Sequence, residues 1–533
     1  MGLRHGWRAG VTVAALMMTF GVSLAEAKPF RFANDGDVGS MDPTFRNETF
    51  QLTFIANIYE ALLQRDRNLG LEASLATEWK QVEPMLWRFK LRQGVKFHDG
   101  TPFTADDVVF SVNRAATAPS NMTGYFASLK EVRKVDATTI EFETKVIDPL
   151  LDQKLVQIYI LSKPWAEKNN ATKSTDVTKP TEENYATRNA NGTGPFLLKL
   201  REPGVKTTLV PNPNWWGKAE HNLTDIAFSV IQNDATRVAA LLSGEIDFIY
   251  TVPPQDTERL SKADNTKIMQ GPETRVVYLG FDQARDELQE SNIKGKNPFK
   301  DVRVREAFYR AIDIEAIKTR VMRGQATPVA LMVAPGINGY VKALDVRPKY
   351  DPDAARKLLA DAGYPNGFET GMDCPNDRYV NDEAICQAVA AMLARIGIKV
   401  NLLAQTRTKY FAKILGPGYN TSFYMLGWSP AATYDTHNVF EQLLQTRNAA
   451  AKKGAFNVGG YSNPQFDALT DKLEQEVDKA KRDAMIAEAH KIFQKDFANI
   501  PLHQQALIWA MRKSVDAVQL ADNSFPLRFV QVK

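Results

Sequence analysis

The sequence predicts an α/β protein built from more than one lobe. Segments with the two-residue alternation of half-buried strands are interleaved with capped, amphipathic helices along the whole chain. At 533 residues the chain exceeds what one hydrophobic core serves, since domains run to about 100–200 residues, so two to four domains or lobes are expected. Apolar residues make up 44% and charged residues 24%, ordinary globular values that exclude wholesale disorder and a multi-span membrane protein. With 66 basic against 62 acidic residues the formal charge is +4. No basic run accompanies it, which argues against a nucleic-acid partner. Two cysteines are too few for a disulfide scaffold or a four-thiolate zinc site.

Arg4 and Arg8 precede an apolar run, and Ala25-Glu26-Ala27 supplies an A-x-A exit before Lys28. This reads as a cleavable secretory signal over 1–27, because the apolar run of about 16 residues is short of the roughly 20 that a bilayer span needs. No cysteine adjoins the cleavage point, so the mature protein is expected to be free and soluble in the periplasm, without a lipid anchor. Trp87, Phe89 and Leu91 alternate with Arg88, Lys90 and Arg92, a half-buried strand over Leu86–Leu91. Thr104 then caps a helix whose first turn carries Asp106 and Asp107. Asn233 caps another, carrying Val238, Leu241 and Leu242; Gly244 ends it and a strand follows over 246–250. Asp351-Pro352 opens a third that stops at Gly363 and Pro365. Residues 465–497 read as two long amphipathic helices, and the polar stretch 167–191 as a surface loop.

Catalytic patterns are missing. There is no H-E-x-x-H, G-x-S-x-G, P-loop or G-x-G-x-x-G, and the histidines at 98, 221, 437, 490 and 503 lack metal-ligand spacing. Adjacent Asp106 and Asp107 would point about 100° apart on a helix, which suits capping rather than paired acid–base work. The chain is expected not to be an enzyme and to need no cofactor or metal.

The run Trp87-Arg-Phe-Lys-Leu-Arg-Gln-Gly-Val-Lys-Phe-His98-Asp-Gly100-Thr-Pro-Phe-Thr-Ala-Asp-Asp-Val-Val-Phe-Ser-Val-Asn-Arg114 resembles the signature of the extracellular solute-binding proteins of ABC importers. The branch is family 5, which includes dipeptide-, oligopeptide- and nickel-binding proteins. The resemblance continues in order through Met41-Asp-Pro43, Tyr59-Glu-Ala-Leu62, Gly192-Thr-Gly-Pro-Phe196, Asn212-Pro-Asn-Trp-Trp216, Ser243-Gly-Glu-Ile-Asp247 and Tyr461-Ser-Asn-Pro-Gln-Phe-Asp467. It implies a two-lobed periplasmic-binding-protein clamp with an extra subdomain. Residues 28–62, 190–270 and 505–533 would form lobe I, 63–189 the inserted subdomain and 271–504 lobe II, with the hinge near 271 and 504. It implies a monomer that closes on a peptide or peptide-like solute and delivers it to a membrane permease. A nickel chelate, opine or other small organic solute is the alternative within the family, and a secreted hydrolase the alternative outside it. Most signature residues are expected to be structural: His98-Asp99-Gly100 as a turn, Arg303 and Arg305 in ion pairs, Trp215 and Trp216 as core anchors.

The same resemblance places the ligand site in lobe II. Trp428 falls where peptide-binding relatives have a Gly-Trp pair followed by an amine-binding Asp; this chain has Ala431 there, and Asp435 is the candidate substitute. His437 resembles the segment that gives nickel-binding relatives a histidine. Arg378, beside Tyr379, matches a carboxylate-binding Arg; otherwise it is a surface residue paired with Asp377 or Asp382. Asn47 to Gln51, after Met41-Asp-Pro43, is the facing wall of lobe I, with Asn47 its candidate contact. Cys374 and Cys386, twelve positions apart in an oxidising compartment, are expected to pair rather than stay as two buried thiols.

Overall fold

The structure, a computed structural model, describes residues 1, 2 and 28–533 apart from 178, 180, 181, 417, 432 and 452. The expected secretory signal, 1–27, therefore lies outside the described residues beyond its first two positions. β1 (Lys28–Asn34) buries Phe30 and Phe32 and leads to α1 (Thr49–Ile55), where Glu48 accepts the Gln51 N–H at 3.0 Å as N-cap. A four-stranded antiparallel sheet is inserted next, from β2 (Ala76–Glu83), β3 (Leu86–Leu91), β4 (Leu129–Asp136) and β5 (Thr139–Thr144) in the order β2-β3-β5-β4. β3 is the strand expected from its alternation: Trp87, Phe89 and Leu91 are buried, while Arg88 pairs outward with Glu141 at 2.5 Å. α2 (Ala105–Ala116) starts at Thr104, whose N–H and hydroxyl both donate to Asp107, at 2.8 and 2.7 Å.

The chain then returns to the sheet of β1 with β6 (Phe196–Glu202), β7 (Lys206–Pro211), β8 (Leu223–Val230), α3 (Asp234–Ser243) and β9 (Phe248–Ile249). Asn233 caps α3 through the Thr236 N–H and Gly244 ends it at φ +82°. The strand is shorter than expected because the Ile246 N–H turns back to the Ala240 carbonyl, so pairing starts only at Phe248. After β10 (Thr266–Phe281) come α4 (Val302–Ala311), α5 (Pro352–Asp361), β11 (Glu369–Pro375), α6 (Asp382–Ala394), β12 (Lys399–Gln405), α7 (Arg407–Ile414) and β13 (Phe423–Trp428). α8 (Thr436–Val439), α9 (Pro464–Gln475), α10 (Lys479–Asp496) and β14 (Asn499–Arg512) complete the chain as far as it bears on the site. α9 and α10 are the two helices read from 465–497, capped by Asn463 and Asp478.

Among the described residues eleven strands join in one sheet, ten of them in the order β12-β11-β13-β10-β14-β9-β1-β8-β7-β6. Two separate sets of cores hang on it. One packs Phe30, Phe32, Phe54, Phe228, Trp509 and Phe525 together with Phe89 and Phe142 of the inserted sheet. The other two draw only on residues between 277 and 502, around Phe281, Phe308 and Phe423, and around Tyr424, Phe440 and Phe493. Each such buried aromatic contributes on the order of 2–3 kcal/mol of hydrophobic stabilisation. β10 and β14 run antiparallel from Thr266↔Arg512 to Gly280↔Asn499 and so pass between the core sets, with their register broken between Pro272 and Val276. Cys374, at the end of β11, and Cys386, on α6, are joined as a disulfide with Cα atoms 6.6 Å apart.

The signature motifs prove to be buried pins. Asp42 takes two hydrogen bonds from the Arg114 guanidinium (2.8 and 2.6 Å) and one each from the Thr44 and Thr175 N–H groups. Burial would push its carboxyl up, but Arg114 and these donors hold it below its ordinary value. Thr175 belongs to the stretch expected as surface loop; Ser174, Thr175, Thr187 and Asn191 are in fact buried, because that stretch closes over Asp42. Glu60 accepts from the indole N–H groups of Trp215 (3.0 Å) and Trp216 (2.8 Å) and from Thr193 (2.8 Å), tying three motifs together. His98 bonds the Gly194 carbonyl at 3.0 Å, and Asp99 caps the turn at Thr101. Arg303 pairs with Asp301, whereas Arg305 makes no ion pair among the described residues and instead donates to the carbonyls of Phe299, Asp496 and Phe497.

Candidate functional site

Between the two core sets lies a cavity of about 1400 Å³. Arg275, within the register break of β10, lines its floor. There the Gln504 side chain donates to the Glu273 carbonyl (2.6 Å), Gln505 donates to the Glu273 carboxylate (2.8 Å), and Arg275 pairs with the same carboxylate at 3.0 Å. Glu273 and Arg275 are buried, so the charges depend on each other. Arg275 also donates to the Thr49 hydroxyl at 3.1 Å, fastening the N-terminus of α1 to β10.

One wall is the loop between β11 and α6. Asp382 accepts the backbone N–H groups of Arg378 (2.9 Å) and Tyr379 (3.0 Å), fixing the loop. Burial pushes the Asp382 carboxyl up to about 6 despite these bonds. The Tyr379 ring is packed against Gly427, where a β-carbon would lie 2.7 Å from it, and its hydroxyl accepts the Gly427 N–H at 2.8 Å. A glycine before Trp428 is therefore required by the tyrosine. Arg378 lies across that ring, 5.1 Å from its centroid, and lines the cavity. It is not the surface ion pair that was the alternative: Asp382 meets only its backbone, and Asp377 accepts the N–H of Arg407. Trp428, at the end of β13, lies 4.7 Å from the Phe456 centroid and donates to Asn438 at 3.0 Å, presenting its ring to the cavity.

Asn47 faces these from the other wall, held by Asn121 (2.7 Å) and the Tyr125 hydroxyl (3.1 Å). His437 lines the cavity as well, its backbone N–H donating to Asp435 and its carbonyl accepting from Phe440. Among the described residues no three His, Cys, Asp or Glu side chains are placed to hold one metal ion. Asp435 is a correction. It lies behind the wall, buried, pairing with Arg482 at 2.6 Å, accepting from Asn338 at 2.6 Å and capping α8. Those bonds use both carboxylate oxygens, so the residue does not stand in for the carboxylate missing at Ala431.

Of the charged residues that line the cavity, the sequence reading held Glu48, within the Asn47–Gln51 wall, and missed Arg46, Arg275 and Arg447 among others. Arg46 and Glu48 line the cavity from the approach to α1, Arg275 from its floor and Arg447 from the segment after α8. Burial would raise the Glu48 carboxyl, yet the nearby Arg378, the Gln51 N–H and Arg407 hold it below its ordinary value. Three guanidinium groups from both sides, those of Arg46, Arg378 and Arg407, thus share one carboxylate that is already turned to capping α1. The only sequence signal for them was position, next to the Asn47 segment or to a strand end.

Two core sets joined by a strand pair, with a cavity of mixed polar and apolar lining between them and, among the described residues, an unpaired arginine in its wall, define a clamp for a small solute. The chain belongs to the bacterial extracellular solute-binding proteins, family 5, whose model matches residues 70–451. It is 27% identical over 523 residues, 96% of each chain, to the glutathione-binding protein GsiB of Salmonella typhimurium. Among solved structures it resembles the ABC transporter-associated periplasmic binding protein DppA of Helicobacter pylori in complex with the peptide STSA, with 25% identity, a TM-score of 0.80 and coverage of 95% and 98%. It shares its fold with AgaA of A. tumefaciens R10 in complex with agropinic acid, with 21% identity, a TM-score of 0.80 and coverage of 95% and 99%. Family and fold are those of binding proteins, not enzymes. No helix among the described residues is long and apolar enough to cross a membrane.

Proposed function

We propose that the chain is the exported receptor of an ABC importer, that its mature form begins at Lys28 and works as a free periplasmic monomer, and that it captures a peptide or peptide-like solute for delivery to the permease. The observation that carries this is Arg378: a guanidinium in the cavity wall, without a carboxylate partner among the described residues, held on Tyr379 in the orientation that suits a solute carboxylate. Trp428 packs the solute from the same side, and Arg46 and Asn47 meet it from the other. Lobe I (28–62, 190–270, 505–533) with its subdomain (63–189) then closes on lobe II (271–504) by bending β10 and β14 near 271 and 504, and the closed form is what the permease reads. Glu441 and Asp522 line the cavity without, among the described residues, a cation at ion-pairing distance, and are carboxylates left to meet an ammonium. The GsiB and DppA relatives, named for glutathione and found with a peptide, support this reading.

Ala431 favours a second reading. With no carboxylate at that position, a solute without a free amine, such as an opine like the agropinic acid bound by AgaA, suits the wall equally well. Calorimetric titration with di- and tripeptides and with opines separates the two. One-to-one peptide binding supports the first, and opine binding without peptide binding replaces it with the second.

A further inference from the structure

Among the described residues, half of the lysines and arginines that line the cleft are already neutralised. Lys154 pairs with Asp148 at 2.7 Å, Arg275 with Glu273 at 3.0 Å, Lys453 with Asp471 at 2.7 Å and Glu474 at 3.0 Å, and Arg528 reaches Glu72 at 3.4 Å. Arg46, Arg378 and Arg447 differ. Among the described residues none of the three has a carboxylate at ion-pairing distance, and each lies across an aromatic ring instead. The guanidinium carbons are 5.0 Å from the Phe45 centroid, 5.1 Å from Tyr379 and 4.2 Å from Tyr419. A guanidinium backed by a ring keeps the N–H groups in its plane free, in the fork that meets a carboxylate. Arg65 is unpaired too, but its Nε and Nη2 are packed away beside Tyr434 and reach no solute.

The three form two groups. Arg46 and Arg378 act around Glu48, whereas Arg447 comes from the segment after α8 and stacks on Tyr419, which follows α7. An unpaired cation in a cleft that loses its water on closure is costly unless the solute neutralises it. A single carboxylate satisfies one group only.

We propose that the solute carries two anionic groups, the first received by Arg378 with Arg46 and the second by Arg447 on its Tyr419 ring. This rests on the peptide reading and narrows it to acidic peptides and peptide-like dicarboxylates, at the expense of neutral ones.

The test is calorimetric titration of the intact protein with matched tripeptides, Glu against Gln at the first, middle or last position between alanines. At one position or more the Glu peptide should bind at least tenfold more tightly than its Gln partner. Arg447→Gln should bring that ratio close to one, chiefly by loss of affinity for the Glu peptide; Arg447→Lys should retain most of the preference. Arg378→Ala should weaken both members of a pair alike. No preference in the wild type, or one that survives Arg447→Gln, would overturn the second anion site while leaving the peptide reading intact. Failure of every tripeptide to bind would overturn the peptide reading and this inference with it. The wild-type comparison alone decides should Arg447→Gln not fold.

Discussion

Replacing Arg378 by alanine separates a binding role from a structural one. In the structure its guanidinium lies 5.1 Å from the Tyr379 ring centroid, in the electrostatic field of Glu48, and makes no ion pair among the described residues. The Asp382 carboxylate that fixes the loop is bonded to the backbone N–H of residue 378, so it keeps that bond after truncation. Loss of the ring contact at a partly buried site costs roughly 0.5–1 kcal/mol of stability. A charge-assisted contact to a solute carboxylate is worth about 1.5–3 kcal/mol, a loss of roughly tenfold to a hundredfold in affinity. The ligand-induced rise in melting temperature should shrink in step, since stabilisation by a ligand follows its affinity. Calorimetric titration with whichever tripeptide binds, paired with thermal melts without ligand, reads both quantities. Unchanged affinity, or a loss of stability larger than the loss of binding energy, would refute the reasoning.

Three further outcomes follow from the same geometry. The disulfide closes the loop that carries Arg378 and Tyr379, so Cys374→Ser with Cys386→Ser should cost roughly 3 kcal/mol in chemical denaturation, by the chain-entropy argument, and should also weaken solute binding; thiol titration of the unfolded, unreduced wild type should find no free thiol. Asp42→Ala strands the buried Arg114 charge and should destabilise by about 3–5 kcal/mol in urea without changing the affinity of the folded fraction. Burial lowers His490 and His503 to about 4; the folded state then resists protons that the unfolded state binds below about 6.5, so stability is full above that value and falls as pH drops toward 4, by on the order of 3 kcal/mol per histidine. Asp382, raised to about 6 by burial, works in the opposite direction over the same window, and two histidines outweigh it. Melting temperature against pH for His503→Leu should show a shallower slope than the wild type.

The sequence was most legible where one local rule decides the outcome. The alternation at Trp87, Phe89 and Leu91 and the caps at Thr104, Asn233 and Asp351 each act within a few residues, and the structure has those elements. The stretch 167–191 misled because polarity there serves Asp42, more than 120 positions upstream, rather than solvent. The site was legible in part. Arg378, Trp428, His437 and Asn47 do meet in one cavity, while Asp435 carried the right chemistry in the wrong place, its carboxylate claimed by Arg482 from α10. Arg46, Arg275 and Arg447 were invisible for a related reason. Whether an arginine is paired depends on which carboxylates the fold brings near it, and no local pattern encodes that.

The central claim is that the cavity captures an organic solute through Arg378. Native mass spectrometry of the purified protein, wild type beside Arg378→Ala and each after incubation with the tripeptide panel, tests it directly. The account predicts a one-to-one complex with an intact tripeptide in the wild type and a markedly reduced one in the variant. Equal complexes in both, or tripeptides returned as hydrolysis products, would contradict it.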